Sequence, residues 1–266
     1  MEESGNFILI DGSYFVYYRY YALKSWWKLS NQEGEPSIEN QVFKDKFDKM
    51  FPLKLKEISK KLNIKDARIF VGKDCSRKNI WRRSIYPAYK ETRKPCDAFE
   101  SSIFKYVDTE DLFVKSGGIV LNHPGLEADD CLAILAKSIL KKHHENRVYI
   151  IANDADYIQL VEPNLQVLNL KYKSLVNNKT TFEDPKKTLF CKIVSGDKSD
   201  NIPPIDTGIG IKKAIHYYEN PEEFREYLEG NKDIKFNYKI NLTLVHFENI
   251  PEYLVSDFKD LFLMYL

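Results

Sequence analysis

Short apolar runs punctuate the chain, and each closes on a polar turn. Phe7-Ile8-Leu9-Ile10, Ala67-Arg68-Ile69-Phe70-Val71 and Val148-Tyr149-Ile150-Ile151-Ala152 are β-branched-rich and continuous rather than alternating. That pattern predicts strands of a parallel sheet buried on both faces. Gly118-Ile119-Val120-Leu121 and Leu165 to Leu170 predict two more. Between them, helical patterns run over Gln41 to Leu62, with an interruption expected at Pro52, over Ala98 to Lys115, and over Asp129 to Lys142. Alternating strands and helices predict an α/β fold with a mostly parallel central sheet flanked by helices.

Thr188 to Tyr218 has a different character. Pro203-Pro204 and Gly208-Ile209-Gly210 lie between two helical patterns, which predicts a small helical hairpin module. Asn231 to Leu266, rich in aromatic and aliphatic residues, is expected to pack back on the body. No internal repeat or long linker divides the chain.

The length, 266 residues with 43% hydrophobic content, suffices for a buried core. Met1 to Asn6 is acidic and polar ahead of a short apolar run, so neither a secretory signal nor a membrane span is expected; a cytoplasmic location is expected, with nuclear or organellar ones as the alternatives. Cys75, Cys96, Cys131 and Cys191 lie far apart with no Cys-x-x-Cys pair, so they read as free thiols. The net charge of +1 hides segregation. Lys73 to Lys94 carries eight cations against Asp74 and Glu91, whereas acids gather elsewhere, as in Glu127-Ala128-Asp129-Asp130. This suits a protein that holds metal cations and grips phosphates nearby, although charge alone allows a plain solvated basic face.

Acids follow the predicted strands: Asp11 after the first, Asp74 after the second, Asp154 and Asp156 after Val148 to Ala152. Ligands bind open parallel sheets outside the carboxyl ends of the strands, so these side chains should converge there. Glu127, Asp129 and Asp130 open a helix, where carboxylates also serve as caps, and Asp197 and Asp200 could be turn residues. Together the nine form a crevice that would repel itself without cations. Ligands that are all oxygen select Mg²⁺, with Mn²⁺ as a substitute, and two such ions roughly 4 Å apart could clamp a phosphodiester for hydrolysis.

Next to Asp74 lies a run of cations and aromatics. Arg83 and Lys90 are candidates to contact the scissile phosphate, and Tyr17 and Tyr89 to stack on an unpaired base, with core packing the competing reading for either tyrosine. Gly208 and Gly210 permit a tight turn that offers amides to a phosphate, supplemented by Lys212 and Lys213; an ordinary helix-helix turn is the alternative.

Five ordered motifs resemble the 5′-nuclease or flap endonuclease superfamily: Ile10-Asp11-Gly12-Ser13; Asp74 with Trp81-Arg82-Arg83 and Tyr89-Lys90; Gly125-Leu126-Glu127-Ala128-Asp129-Asp130; Asp154-Ala155-Asp156 with Gln159-Leu160; and Gly196-Asp197-Lys198-Ser199-Asp200-Asn201-Ile202-Pro203. The resemblance spans roughly residues 6 to 218, and the Trp-Arg-Arg run and the tail are most similar to T-even phage RNase H.

It implies a PIN-like core (1–187 and 219–266) with a short helical arch near 77–115, and a duplex-gripping helix-three-turn-helix module over 188–218. It also implies a first metal site at Asp11, Asp74, Glu127 and Asp129, with Asp130 near both ions, and a second at Asp154, Asp156 and Asp197, supported by Asp200. Lys90 and Arg82 or Arg83 take the place of the family's basic catalytic residues, Arg93 joins the nucleic-acid contacts, and K⁺ is implied at the hairpin module.

The implied substrates are branched, flapped or nicked DNA and RNA-primed DNA, cleaved by a monomer. The interval from Lys90 to Glu127 is short, and no clamp-binding motif closes the chain. A PIN-type ribonuclease would share the acids without needing the hairpin, and a structure-specific DNA-binding protein would lack turnover.

Overall fold

The computed structural model of the protein describes residues 5–30, 32–94, 98–178 and 181–265. Strands β1 (Asn6–Asp11), β2 (Arg68–Gly72), β3 (Ile119–Leu121), β4 (Arg147–Ile151) and β5 (Leu165–Leu168) form one sheet in the order β3-β2-β1-β4-β5. Every pairing is parallel, with Ile10 opposite Val71 on one side and Ile151 on the other. Central β1 is buried on both faces, as its unbroken apolar run requires.

Helix α1 (Gly12–Leu29), which the strand and helix patterns had not singled out, starts directly from β1; the Asp11 carboxylate accepts from Tyr14 N–H and caps it. With α2 (Gln41–Lys61) it covers one face of the sheet through Phe15, Tyr20, Phe43, Phe51 and Leu55. Pro52 does not interrupt α2, contrary to expectation: the helix runs straight through it. The predicted helix from Ala98 to Lys115 is two, α4 (Ala98–Thr109) and α5 (Leu112–Lys115), separated where Asp111 takes a left-handed conformation (φ 49°). Ahead of them lies the short α3 (Arg82–Ile85).

Helix α4 packs on α1, with Phe104 edge-on to Tyr17 at 4.9 Å, and is tied to α2 by Tyr106 donating to Asp48. Part of the expected arch, residues 95–97, and with it Cys96, lies outside the described residues. The other face of the sheet is covered by α6 (Ala128–Lys142), which carries Leu132, Leu135 and Ile139.

Helices α7 (Pro185–Ser195) and α8 (Ile211–Glu219) flank the Pro203 to Gly210 hairpin. They share a small core with α9 (Pro221–Gly230) and α10 (Lys232–Val245) around Ile205, Tyr217 and Phe224. Helix α11 (Glu252–Phe262) returns to α6, burying Leu254, Phe258 and Phe262, so the tail packs on the body as its composition predicts. Among the described residues, no helix is long and apolar enough to cross a membrane.

Two glycines draw the strand ends together. A Cβ on Gly12 would stand 2.7 Å from the Gly72 carbonyl, and one on Gly72 would stand 2.9 Å from the Ala128 carbonyl and 2.8 Å from Leu132 Cγ. Only hydrogen at both positions lets the ends of β1 and β2 and the start of α6 approach this closely, which brings their acids together.

Candidate active site

A cleft of about 270 Å³ opens at the carboxyl ends of the strands, lined by Asp11, Asp74, Asp129, Asp154, Lys90 and Arg93. Asp74 accepts from Ser13 Oγ at 2.7 Å and from the Ala128 amide at 2.9 Å, so the N-terminus of α6 fixes its orientation. Tyr157 donates to Asp11 at 3.1 Å. Burial, and next the negative charge of Asp74, push the Asp11 pKa up to about 7.

Two groups of three carboxylates each bring oxygens within 4.8 Å of one another: Glu127, Asp129 and Asp130, and Asp156, Asp197 and Asp200. Burial raises Asp129 well above the usual carboxylate range, and Asp130 and Glu127 add to this. Asp156 rises to about 6, chiefly through burial, although Lys192 pulls it down. Carboxylates this enclosed and this close accommodate hard cations, and their donors are all oxygen.

Basic side chains reach into both groups. Lys90 has a left-handed backbone (φ 55°), a conformation that costs energy outside glycine and here directs the side chain inward. Its ammonium donates to Glu127 and lies 3.7 Å from Asp200. Arg93 donates to Asp200 and, through Nε, to the Ser199 carbonyl at 3.0 Å. Lys192, on α7, bonds to Asp156 and lies 2.7 Å from Asp197. Burial opposes the Lys192 charge, but Asp156, Asp154 and Asp197 outweigh it and raise its pKa. Ser199 donates to Asp197 through both its amide and its hydroxyl, at 2.7 Å each.

Two of the expected nucleic-acid contacts lie below the surface instead. Arg82 is 2% exposed; its guanidinium donates to Glu127, to both oxygens of Asp130 and to the Leu244 carbonyl, which leaves no face for a phosphate. Tyr89 is also 2% exposed, with its hydroxyl donating to Glu127 and Asp200, so it cannot stack on a base. The sequence placed both in a cation-rich run but could not show that they point inward. Asp130, fully buried, also accepts from Trp81 Nε1 and from the Glu127 amide.

Arg83 is half-buried and donates to the Tyr89 carbonyl. Tyr17, half-buried, has its ring parallel to that of Tyr21. Cys75, Cys131 and Cys191 are free thiols; burial, then Glu127 and Asp74, push Cys75 up to about 12, so it is neutral beside the carboxylates.

The hairpin borders a larger cleft of about 740 Å³, lined by Tyr86, Gly196, Lys198, Gly208 and Gly210 among others. Gly208 (φ 81°) and Gly210 are exposed, and a Cβ on either would meet nothing within 4 Å. The start of α8 has no side-chain cap. Lys212 and Lys213 are exposed beside it.

Residues 6–189 match the family described as 5′-3′ exonuclease, N-terminal resolvase-like domain. The chain belongs to this 5′-3′ exonuclease family. It is 27% identical over 244 residues to a 5′-3′ exonuclease of Buchnera aphidicola subsp. Acyrthosiphon pisum, covering 89% of this chain and 79% of that one. It is 30% identical over 250 residues to the 5′-3′ exonuclease of Aquifex aeolicus, covering 87% and 79%. The thermostable DNA polymerase I of Thermus thermophilus is 30% identical over 98% of this chain, a match covering 28% of that protein. In fold, the chain is similar to the bacteriophage T5 D15 protein co-crystallised with metal ions, with a TM-score of 0.68 at 18% identity over 97% of this chain and 98% of that one.

The sequence motifs of this 5′-3′ exonuclease family member did not reveal Lys192, Tyr157 or Asn153, although Asn153 lines the acidic cleft. Lys192 had one weak signal. It is a lone cation between buried Cys191 and Ile193, five residues before Asp197.

Proposed function

We propose that this 5′-nuclease hydrolyses phosphodiesters near the 5′ end of flapped, nicked or RNA-primed DNA, with two Mg²⁺ ions held by its carboxylates and Mn²⁺ able to substitute. The observation that carries the reading is the convergence of nine acids and three inward-reaching cations at the strand ends. A cleft that pushes Asp11 to about 7 is a poor home for carboxylates unless cations neutralise them.

Asp11, Asp74, Glu127 and Asp129 would hold one ion, and Asp154, Asp156 and Asp197 the other, with Asp200 in support. Bound there, the ions supply a water nucleophile at neutral pH and neutralise charge on the phosphate. Asp130 and Arg82 act beneath the site by orienting Glu127. Lys90 and Arg93, at the cleft wall, are placed to meet the scissile phosphate and stabilise its developing charge. Arg83 is a further candidate to contact the substrate phosphate, and Tyr17 a candidate to stack on an unpaired base.

The exposed glycines and uncapped α8 amides support the hairpin as the duplex contact, because clearance there serves no neighbour within the chain. K⁺ at that hairpin, a monomeric state and a cytoplasmic site of action complete the reading. The hairpin also favours a duplex-gripping nuclease over a PIN-type ribonuclease. The test is product mapping on a 5′-labelled flap in Mg²⁺, with and without an RNA 5′ segment. Release of 5′ products that EDTA abolishes is expected; EDTA-resistant cleavage would overturn the reading.

A further inference from the structure

The second carboxylate group already contains a cation of its own. Lys192 bonds to Asp156 and lies 2.7 Å from Asp197, and its side chain is 19% exposed. Asp200, the third member, is held by Arg93 and lies 3.7 Å from Lys90. Three carboxylates therefore face at least two fixed positive charges. Around Glu127 the balance differs: with each cation counted once, Glu127, Asp129 and Asp130, joined at the cleft by Asp11 and Asp74, meet Lys90 and Arg82, whereas Asp156, Asp197 and Asp200, joined by Asp154, meet Lys192 and Arg93. That group keeps the larger excess of negative charge.

The Lys192 ammonium and a divalent ion would need the same oxygens of Asp156 and Asp197. A small hard cation demands close oxygen contact, and two positive charges cannot share that space in a partly enclosed site. Helix α7 cannot carry the lysine away, because Cys191, Ile193 and Val194 on either side are buried, so the side chain itself must swing out. We infer that Lys192 competes with the divalent cation at Asp156 and Asp197, so that this group binds metal more weakly than the Glu127 group and fills when nucleic-acid phosphate adds negative charge. The inference rests on the metal-dependent nuclease reading.

The experiment is a Mn²⁺ titration of the whole protein without nucleic acid, following free Mn²⁺ by electron paramagnetic resonance. Wild type should show a tight and a weak class of site. Asp197→Asn should remove only the weak class, and Asp74→Asn should weaken the tight one. Lys192→Met should tighten the weak class by about tenfold or more and leave the tight class unchanged, whereas Lys192→Arg should keep it weak.

Losing both ion pairs could compromise folding of Lys192→Met. Lys192→Gln is the companion variant, and thermal melting is the companion measurement: Mn²⁺ should raise the melting temperature of either variant more than that of wild type. The inference is overturned if both variants keep the wild-type weak affinity, or if the class that tightens is the one that Asp74→Asn weakens. A wild-type protein that binds no Mn²⁺ at all would overturn the metal reading itself, and this inference with it.

Discussion

Arg82 grips both oxygens of Asp130, at 2.7 and 2.8 Å, with the two side chains sealed from solvent beneath the acidic cleft. The same guanidinium holds Glu127 at 2.9 Å and the last turn of α10 through the Leu244 carbonyl. One side chain thus ties the start of α6 to the C-terminal helices and sets the direction of a proposed metal ligand. Removing one partner of a buried ion pair strands the other, so Arg82→Ala should cost about 3–5 kcal/mol in chemical denaturation. It should also weaken Mn²⁺ binding. The salt dependence of DNA binding should stay at the wild-type slope, and a slope reduced by a full phosphate contact would restore Arg82 to the DNA surface.

The cleft predicts an unusual pH profile when chelator keeps metal away. Burial raises Asp11 from 3.8 to about 7 and Asp156 to about 6, so folding favours their protonated forms. Their contribution is fully present below about pH 4 and is lost as pH rises through 6 and then 7. In EDTA the melting temperature should fall between pH 5 and 8; Mg²⁺ should recover it at pH 8 and do little at pH 5, because only ionised ligands bind it. His246, pushed down by burial, works in the opposite direction over part of this range. Asp129, also raised by burial, adds to the fall, so the decisive comparison is Asp11→Asn, which should make the fall above pH 6 shallower. An unchanged profile in that variant would remove Asp11 as its origin.

How far the sequence could be read follows from which interactions are local. Unbroken apolar runs such as Phe7 to Ile10 placed the strands, and because each ends on its acid, Asp11 and Asp154 were legible along with the sheet. Side-chain direction was not. Arg82 and Tyr89 sit in a cation-rich run, and only packing against Asp130, Glu127 and Leu244, far away in sequence, turns them inward. Lys192 was hidden for the converse reason: it lies on an otherwise buried stretch of α7, and its partners are brought to it by β4 and the 197–200 turn. Pro52 misled because local chemistry predicts a break that α2, anchored by Phe47, Phe51 and Leu55, does not make.

If the strand-end acids hold the metals, removing one negative ligand should separate chemistry from binding. Asp74→Asn and Asp154→Asn should each lower single-turnover cleavage in Mg²⁺ by orders of magnitude. Affinity for a flapped duplex, measured in Ca²⁺, should stay within a few-fold, since the phosphate-gripping cations remain. Asp74 is the stricter case. Its oxygens already accept from Ser13 and the Ala128 amide, and asparagine can retain one of these bonds, so the fold should persist. Near wild-type cleavage by both variants would mean that the metals lie elsewhere.

Lys212 and Lys213 stand side by side at the hairpin, yet they should not contribute equally to duplex binding. Lys213 donates to Glu223 on α9 at 3.1 Å and lies over the Tyr217 ring at 4.4 Å, and Glu223 also bonds His216. No ion pair is seen for Lys212 among the described residues. A phosphate arriving at α8 meets one lysine ready to pair and another whose charge is partly satisfied by a carboxylate that itself repels DNA. On B-form DNA each neutralised phosphate contributes roughly 0.9 to the slope of log affinity against log salt. Lys212→Ala should therefore lower the slope by about that amount, and Lys213→Ala by clearly less. Glu223→Gln should tighten duplex binding and steepen the slope, and adding Lys213→Ala to it should cancel the gain. The readout is a salt titration in Ca²⁺ on a flapped duplex beside a single strand of the same length, because a duplex contact must change the first and spare the second. Equal losses from the two lysine variants would show that Glu223 yields freely to phosphate, and unchanged slopes in both would return the hairpin to an ordinary turn between α7 and α8.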